Sequence, residues 1–141
     1  MGSYRQQTLI EAPVETVWAQ VGNPNTYPGW AGEIVEVEGL DNVEQGVRYQ
    51  QAEKVPFVGT RKTEFVVDAF EEMREISVRC TVSGWYLHWL LTGAGKDTFA
   101  EFEVGMDPTN PGYRAVDSVV GKRWYRRTAE NTLEQLRKTL A

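Results

Sequence analysis

The chain is poor in the side chains that most often carry metal or covalent chemistry. Of its 141 residues, one is Cys and one is His. A single thiol excludes an intrachain disulfide and fits a reducing, cytoplasmic setting. His88 and Cys80 alone cannot assemble a zinc-type ligand set, so neither a metal nor another cofactor is expected. Positive charge is also short: 15 Lys and Arg against 20 Asp and Glu leave a net charge of −5, which disfavours nucleic acid as a partner. No apolar run approaches the length of a bilayer span, and no signal-peptide pattern opens the chain, so stable membrane insertion is not expected. Gln6 stands where a myristoylation motif requires Ser or Thr. Repeats, low-complexity tracts and linkers are absent, which predicts a single domain over residues 1–141.

What the chain has in abundance is aromatic surface: five Trp, six Tyr and five Phe. Such rings either fill a core or line a ligand pocket. The periodicity places them. Ser3 to Glu11 reads as a strand. Ala12-Pro13 then starts a helix with an apolar stripe of Val14, Val17, Trp18 and Val21, stopped at Asn23-Pro24. A short helical turn at Asn25 to Trp30 follows, broken by Pro28-Gly29. Strand-like stretches cover Glu33–Gly39, Gly46–Val55, Thr60–Phe70, Met73–Ser83, Trp85–Thr92 and Lys96–Asp107, separated by turn signals such as Pro56, Glu71-Glu72 and Gly93-Ala94-Gly95. From about Tyr113 to Leu140 the period turns helical, with Val120, Trp124, Thr128, Thr132, Leu136 and Leu140 in steps of four. A meander closed by a long terminal helix is an α+β arrangement.

Residues opposite one another across a hairpin share a face. A tight turn at Ser83-Gly84 sets Val82 opposite Trp85, Cys80 opposite Leu87, Val78 opposite Trp89 and Ile76 opposite Leu91. Turns at Glu71-Glu72 and Ala94-Gly95 add Phe65 and Val67 on one side and Ala100, Phe102 and Val104 on the other, with Trp89 facing Ala100. Around Pro56, Glu53 faces Arg61, Gln51 faces Thr63 and Tyr49 faces Phe65. The inner face so defined is apolar except at the Pro56 end. The helix stripe is mixed too, with Thr128 and Thr132 among its apolar residues. Unpaired polar groups in a sealed core cost free energy, so this pattern predicts a wet or ligand-filled space between sheet and helix.

Three motifs resemble a known family. Ala12-Pro13, Val17-Trp18 and Tyr27-Pro28-Gly29-Trp30 are similar to the N-terminal signature of the polyketide cyclase/dehydrase and lipid-transport family, within the START-related, birch-pollen-allergen-like superfamily. "GAGKDTFAEFEV" is similar to the family's entry into its last strand, although Lys96-Asp97 departs from the usual Gly-Thr, and "NTLEQLRKTL" to its terminal helix. The resemblance implies a helix-grip fold: a curved seven-stranded antiparallel sheet around a long C-terminal helix, two short helices between strands 1 and 2, and a cavity inside. Tyr27 and Trp30 are then expected to plug one end of it.

The ligand expected is a small hydrophobic molecule, aromatic, polycyclic or lipid-like. The residues expected to bind it are Tyr49, Gln51, Arg61, Thr63, Phe65, Val78, Trp85, Trp89, Phe102, Trp124, Tyr125 and Thr128. The alternative is an aromatase/cyclase- or dehydratase-like enzyme, in which Glu53 takes a proton from an enolisable substrate and Arg61 or Tyr49 steadies the enolate. A purely structural Glu53–Arg61 pair is the plainer reading of those two charges. Lys122, Arg123, Arg126 and Arg127 form a basic strip, read as a solvated face or as a weak contact for an anionic membrane or carrier protein.

Overall fold

The structure is a computed structural model that describes residues 2–55, 59–108 and 110–141. The expected turn at Pro56 lies outside the described residues. Seven strands, β1 (Ser3–Ile10), β2 (Ile34–Glu38), β3 (Arg48–Val55), β4 (Gly59–Glu71), β5 (Glu75–Cys80), β6 (Trp85–Ala94) and β7 (Asp97–Met106), form one antiparallel sheet in the order β1-β7-β6-β5-β4-β3-β2. Helix α1 (Val14–Val21) and a 3-10 segment (Pro24–Gly29) connect β1 to β2, and α2 (Pro111–Leu140) follows β7. The fold is α+β, with the sheet curved around the terminal helix.

Local chemistry explains the first connection. Pro13 precedes α1 in extended geometry and Glu15 lies in the first turn, while Val17, Trp18 and Val21 face inward. Asn23 caps the 3-10 segment through its side chain, accepting from the Asn25 N–H at 3.1 Å. Tyr27 then donates its hydroxyl to the Val21 carbonyl at 2.7 Å, and the Trp30 indole N–H reaches Thr26 Oγ1 at 3.2 Å. Both rings are buried, and Trp30 leans on Trp89 edge-on, with centroids 5.7 Å apart.

The inner face is the one the hairpins predict, but its registers differ. Between β3 and β4 they are as expected, with Glu53 opposite Arg61, Gln51 opposite Thr63 and Tyr49 opposite Phe65. Elsewhere the pairing is slipped by two residues. The β5–β6 loop spans Thr81 to Gly84, so Val78 pairs with Leu87 and Ile76 with Trp89. Val82 consequently lies in the loop, 46% exposed, rather than on the inner face. Between β6 and β7 the turn is Gly95-Lys96, which sets Trp89 opposite Phe102 and Leu91 opposite Ala100. Between β4 and β5 the register shifts between Val67 and Ala69, and Met73 takes a positive φ of 67° in the turn. An even slip keeps every side chain on its face. The large–small pairing of Trp89 with Ala100 is therefore replaced by a contact between two large rings, Trp89 and Phe102, 4.3 Å apart.

That change matters for the interior. Phe65, Val67, Ile76, Val78, Trp89, Phe102, Leu133 and Leu136 are all at most 2% exposed and form one continuous core. The hollow expected between sheet and helix is absent there. Thr128 and Thr132 do not face a wet space. They pack against the backbone at Gly32, where an added Cβ would come 3.3 Å from Thr128 Cγ2 and 3.2 Å from Thr132 Oγ1. Large rings supply the volume that a cavity would otherwise occupy.

Helix α2 is not straight. Gly121 has φ 70° and ψ 171°, so the helix consists of two segments, 111–120 and 122–140. That backbone geometry is open essentially to glycine alone. The second segment buries Tyr125, Thr128, Ala129, Thr132, Leu133 and Leu136 against the sheet. The first crosses one end of the sheet and creates the cleft described next. Among the described residues no helix is long and apolar enough to cross a membrane.

Candidate functional site

The cleft lies between the first segment of α2 and the ends of β3, β4 and β6. Asn110 starts that segment by accepting from the Tyr113 N–H at 2.9 Å. Tyr113, Val116, Val120 and Trp124 then project from α2 as one wall. The facing wall is Trp85 with Met106, and the polar end is formed by Glu53, Arg61 and Thr63. About 20 Å³ is open to the centre of a water molecule, room for one water.

Three aromatic rings make the apolar side. Trp85 lies 5.2 Å from Trp124 and stacks on Tyr125 at 5.8 Å with 29° between the planes. Trp124 meets Tyr125 edge-on at 5.7 Å. Tyr125 is anchored from behind: its hydroxyl donates to Asp117 Oδ1 at 2.5 Å, and Asp117 also accepts from the Gly2 N–H at 3.0 and 3.1 Å. Burial and the Asp117 carboxylate push the Tyr125 phenol well above its ordinary range. Trp124 itself is half-buried.

The polar end centres on Glu53, which is 5% exposed. Burial pushes its carboxyl up to about 8. The Trp85 indole N–H and the Gln51 carboxamide approach it and favour the charged form, but burial, with a smaller push from Glu33 in the same direction, outweighs them. Neither Trp85 Nε1 nor Gln51 Nε2 completes a hydrogen bond, although both atoms are buried. The Gln51 oxygen is occupied, accepting from the Tyr49 hydroxyl at 2.9 Å. Thr63 Oγ1 lies 3.2 Å from Cys80 Sγ. Arg61, opposite Glu53 in register, is exposed, and no ion pair joins the two. The structural Glu53–Arg61 pair is thus not formed: the long Arg61 side chain carries its guanidinium out to water while the shorter Glu53 turns inward.

The structure gathers Glu53, Arg61, Thr63, Trp85, Trp124 and Tyr125 at this cleft. Tyr49 and Gln51, buried on β3 with Glu53, do not line it. Phe65, Val78, Trp89, Phe102 and Thr128 are embedded in the solid core and do not line it. Tyr113, Val116 and Met106 are wall residues that the sequence reasoning missed. Tyr113, Val116 and Val120 follow the helical spacing i, i+3, i+7, so the period was present, but it was masked by the Pro111-Gly112 start and the Gly121 break.

The outer face of the sheet carries a separate polar lattice. Arg79 reaches Asp68 at 3.0 Å and lies 4.8 Å over the Tyr86 ring, and the Tyr86 hydroxyl donates to Glu103 at 2.5 Å. His88 pairs with Glu75 at 2.7 Å, on the face opposite Cys80. On α2 the basic strip is exposed, with Arg126 paired to Glu130 at 2.7 Å.

A curved antiparallel sheet gripping a long helix, with a cleft at the helix's leading end, defines a helix-grip fold. The chain belongs to the polyketide cyclase / dehydrase and lipid transport family, whose model matches residues 1–141. Solved structures share the fold at low identity. Protein BH1534 of Bacillus halodurans is 19% identical over 100% of this chain and 98% of its own, with a TM-score of 0.76. A START superfamily protein of Mycobacterium smegmatis is 15% identical over 98% of this chain and 96% of its own, with a TM-score of 0.71. DynU16, from the dynemicin biosynthetic locus, is 18% identical over 98% of this chain and 46% of its own, with a TM-score of 0.66. No curated protein sequence matches the chain.

Proposed function

We propose that the protein binds or carries a small, largely apolar molecule in the cleft under the first segment of α2. The observation that carries this reading is Trp85: it lines the cleft, while its buried indole N–H, beside Glu53, completes no hydrogen bond. A buried donor left unpaired costs about 1–3 kcal/mol, a cost that a ligand oxygen at the polar end relieves. Trp124, Tyr125, Val116 and Val120 supply apolar surface, and Arg61 and Thr63 orient the polar end. The family description, which joins cyclases and dehydrases with lipid transport, supports a ligand of this class. Because the void holds one water, entry needs the 111–120 segment to swing about Gly121. The test is a panel of aromatic, polycyclic and long-chain compounds read by Trp fluorescence and melting temperature. A ligand at a hundredfold its Kd stabilises the fold by about 2.7 kcal/mol. No shift with any compound rejects the reading.

A second reading is favoured by Glu53, whose carboxyl at about 8 is poised for proton transfer near neutrality. In an aromatase/cyclase- or dehydratase-like reaction it exchanges a proton with an enolisable, polyketide-type substrate while Arg61 faces the enolate oxygen. Turnover lost in Glu53→Gln with the circular dichroism unchanged supports it. Equal turnover in that variant rejects it.

A further inference from the structure

We propose that the cleft selects apolar acids, with the ligand carboxylate held between the Arg61 guanidinium, the Trp85 indole N–H and the Glu53 carboxyl, and the apolar body lying under Tyr113, Val116 and Trp124. The inference rests on the binding reading above and gives its ligand a chemical class.

The polar end offers donors in excess. Trp85, which lines the cleft, and Gln51 each bring a buried N–H close to Glu53, and neither N–H completes a hydrogen bond. The rim adds cations. Arg61 and Lys54 line the mouth, are exposed, and form no ion pair among the described residues. The same two strands show that partners are available to cations elsewhere: Arg48 pairs with Glu64 at 2.7 Å and Lys62 with Glu36 at 2.9 Å. In a chain of net charge −5, two unpaired cations over a floor of unmet donors specify a head group that is negative and accepts hydrogen bonds. A carboxylate meets both demands. An alcohol brings a donor where donors are already in surplus, and an amine brings a positive charge beside Arg61.

Glu53 fits the same assignment. Burial keeps it in its acid form at neutral pH. Two carboxyl groups in one small site share a single proton more readily than both ionise. A protonated Glu53 donates to a ligand carboxylate, and this charge-assisted bond is stronger than a neutral one. The other acidic and basic side chains around it are Glu33 before β2, Lys54 on β3 and Arg61 on β4. Tyr49, Cys80, Tyr113 and Tyr125 complete the titratable surroundings.

The experiment compares matched head groups on one apolar body. Calorimetry at slightly acidic pH measures naphthoate, methyl naphthoate and naphthalenemethanol, then decanoate and decanol. The carboxylates are expected to bind about tenfold or more tighter than their neutral partners, the effect of one charge-assisted hydrogen bond. Arg61→Gln, at an exposed position, is expected to remove that preference. Lys122→Gln, on the exposed strip of α2, is expected to change nothing. Neutral probes that bind as tightly as the acids, or a preference that survives Arg61→Gln, overturn the inference while the binding reading stands. Failure of all five probes to bind rejects the binding reading, and this inference with it.

Discussion

Glu53 and Arg61 stand directly opposite one another on β3 and β4, share a face, and form no ion pair. Glu53 is 5% exposed and Arg61 lies in water at the cleft mouth. Charges placed together by strand register are thus separated by depth, and the buried one is held in its acid form.

This separation makes stability depend on pH. The Glu53 carboxyl moves from its ordinary 4.5 to about 8 on folding. Between those values the native state keeps a proton that the unfolded chain has released, so stability falls as pH rises through that window. The contribution is fully present at lower pH and lost above about 8. Glu53→Gln removes this dependence. Urea unfolding across the window is expected to show the variant gaining on the parent as pH rises, and parallel curves contradict the assignment.

Trp89 belongs to the core and Trp124 to the cleft. Trp89 is 1% exposed and contacts Phe102 at 4.3 Å and Trp30 at 5.7 Å. Trp89→Ala is expected to cost about 3–5 kcal/mol. Trp124→Ala, at a half-buried position, is expected to cost clearly less and to weaken ligand binding. Equal destabilisation by the two, measured by chemical denaturation, counts against a distinct cleft wall.

The Gly121 break is a backbone requirement with no packing component, since an added Cβ there meets nothing within 4 Å. Gly121→Ala is therefore expected to destabilise by about 1–3 kcal/mol through φ/ψ strain alone. A neutral or stabilising result indicates that α2 runs straight through this position.

Tyr125→Phe keeps the ring against Trp85 and deletes only the hydroxyl that donates to Asp117 at 2.5 Å. A loss of about 1–3 kcal/mol is expected, with an unchanged denaturant slope. A loss near zero shows that Asp117 is satisfied without the phenol.

Much of this molecule was legible in its sequence. Alternation within strands and four-residue steps in the helix state which side chains face inward, because the geometry of each element is local. Hence Phe65, Val78, Trp85 and Trp89 were assigned to the inner face despite registers slipped by two, since an even slip preserves the face. The motifs around Ala12-Pro13 and Tyr27 to Trp30 carried the family and the helix-grip topology.

Volume was decided only in three dimensions. Whether Trp89 borders a hollow or fills it depends on which residue lies across the strand, and Phe102 in place of Ala100 closes the space. The depth that separates Glu53 from Arg61, the approach of Gly32 to Thr128 and Thr132, and the angle of the helix at Gly121 are likewise set by distant segments meeting. Facing is a property of a single strand or helix and can be read along the chain. Filling is a property of several elements packed at once, so the position and size of the cleft belong to the tertiary structure alone.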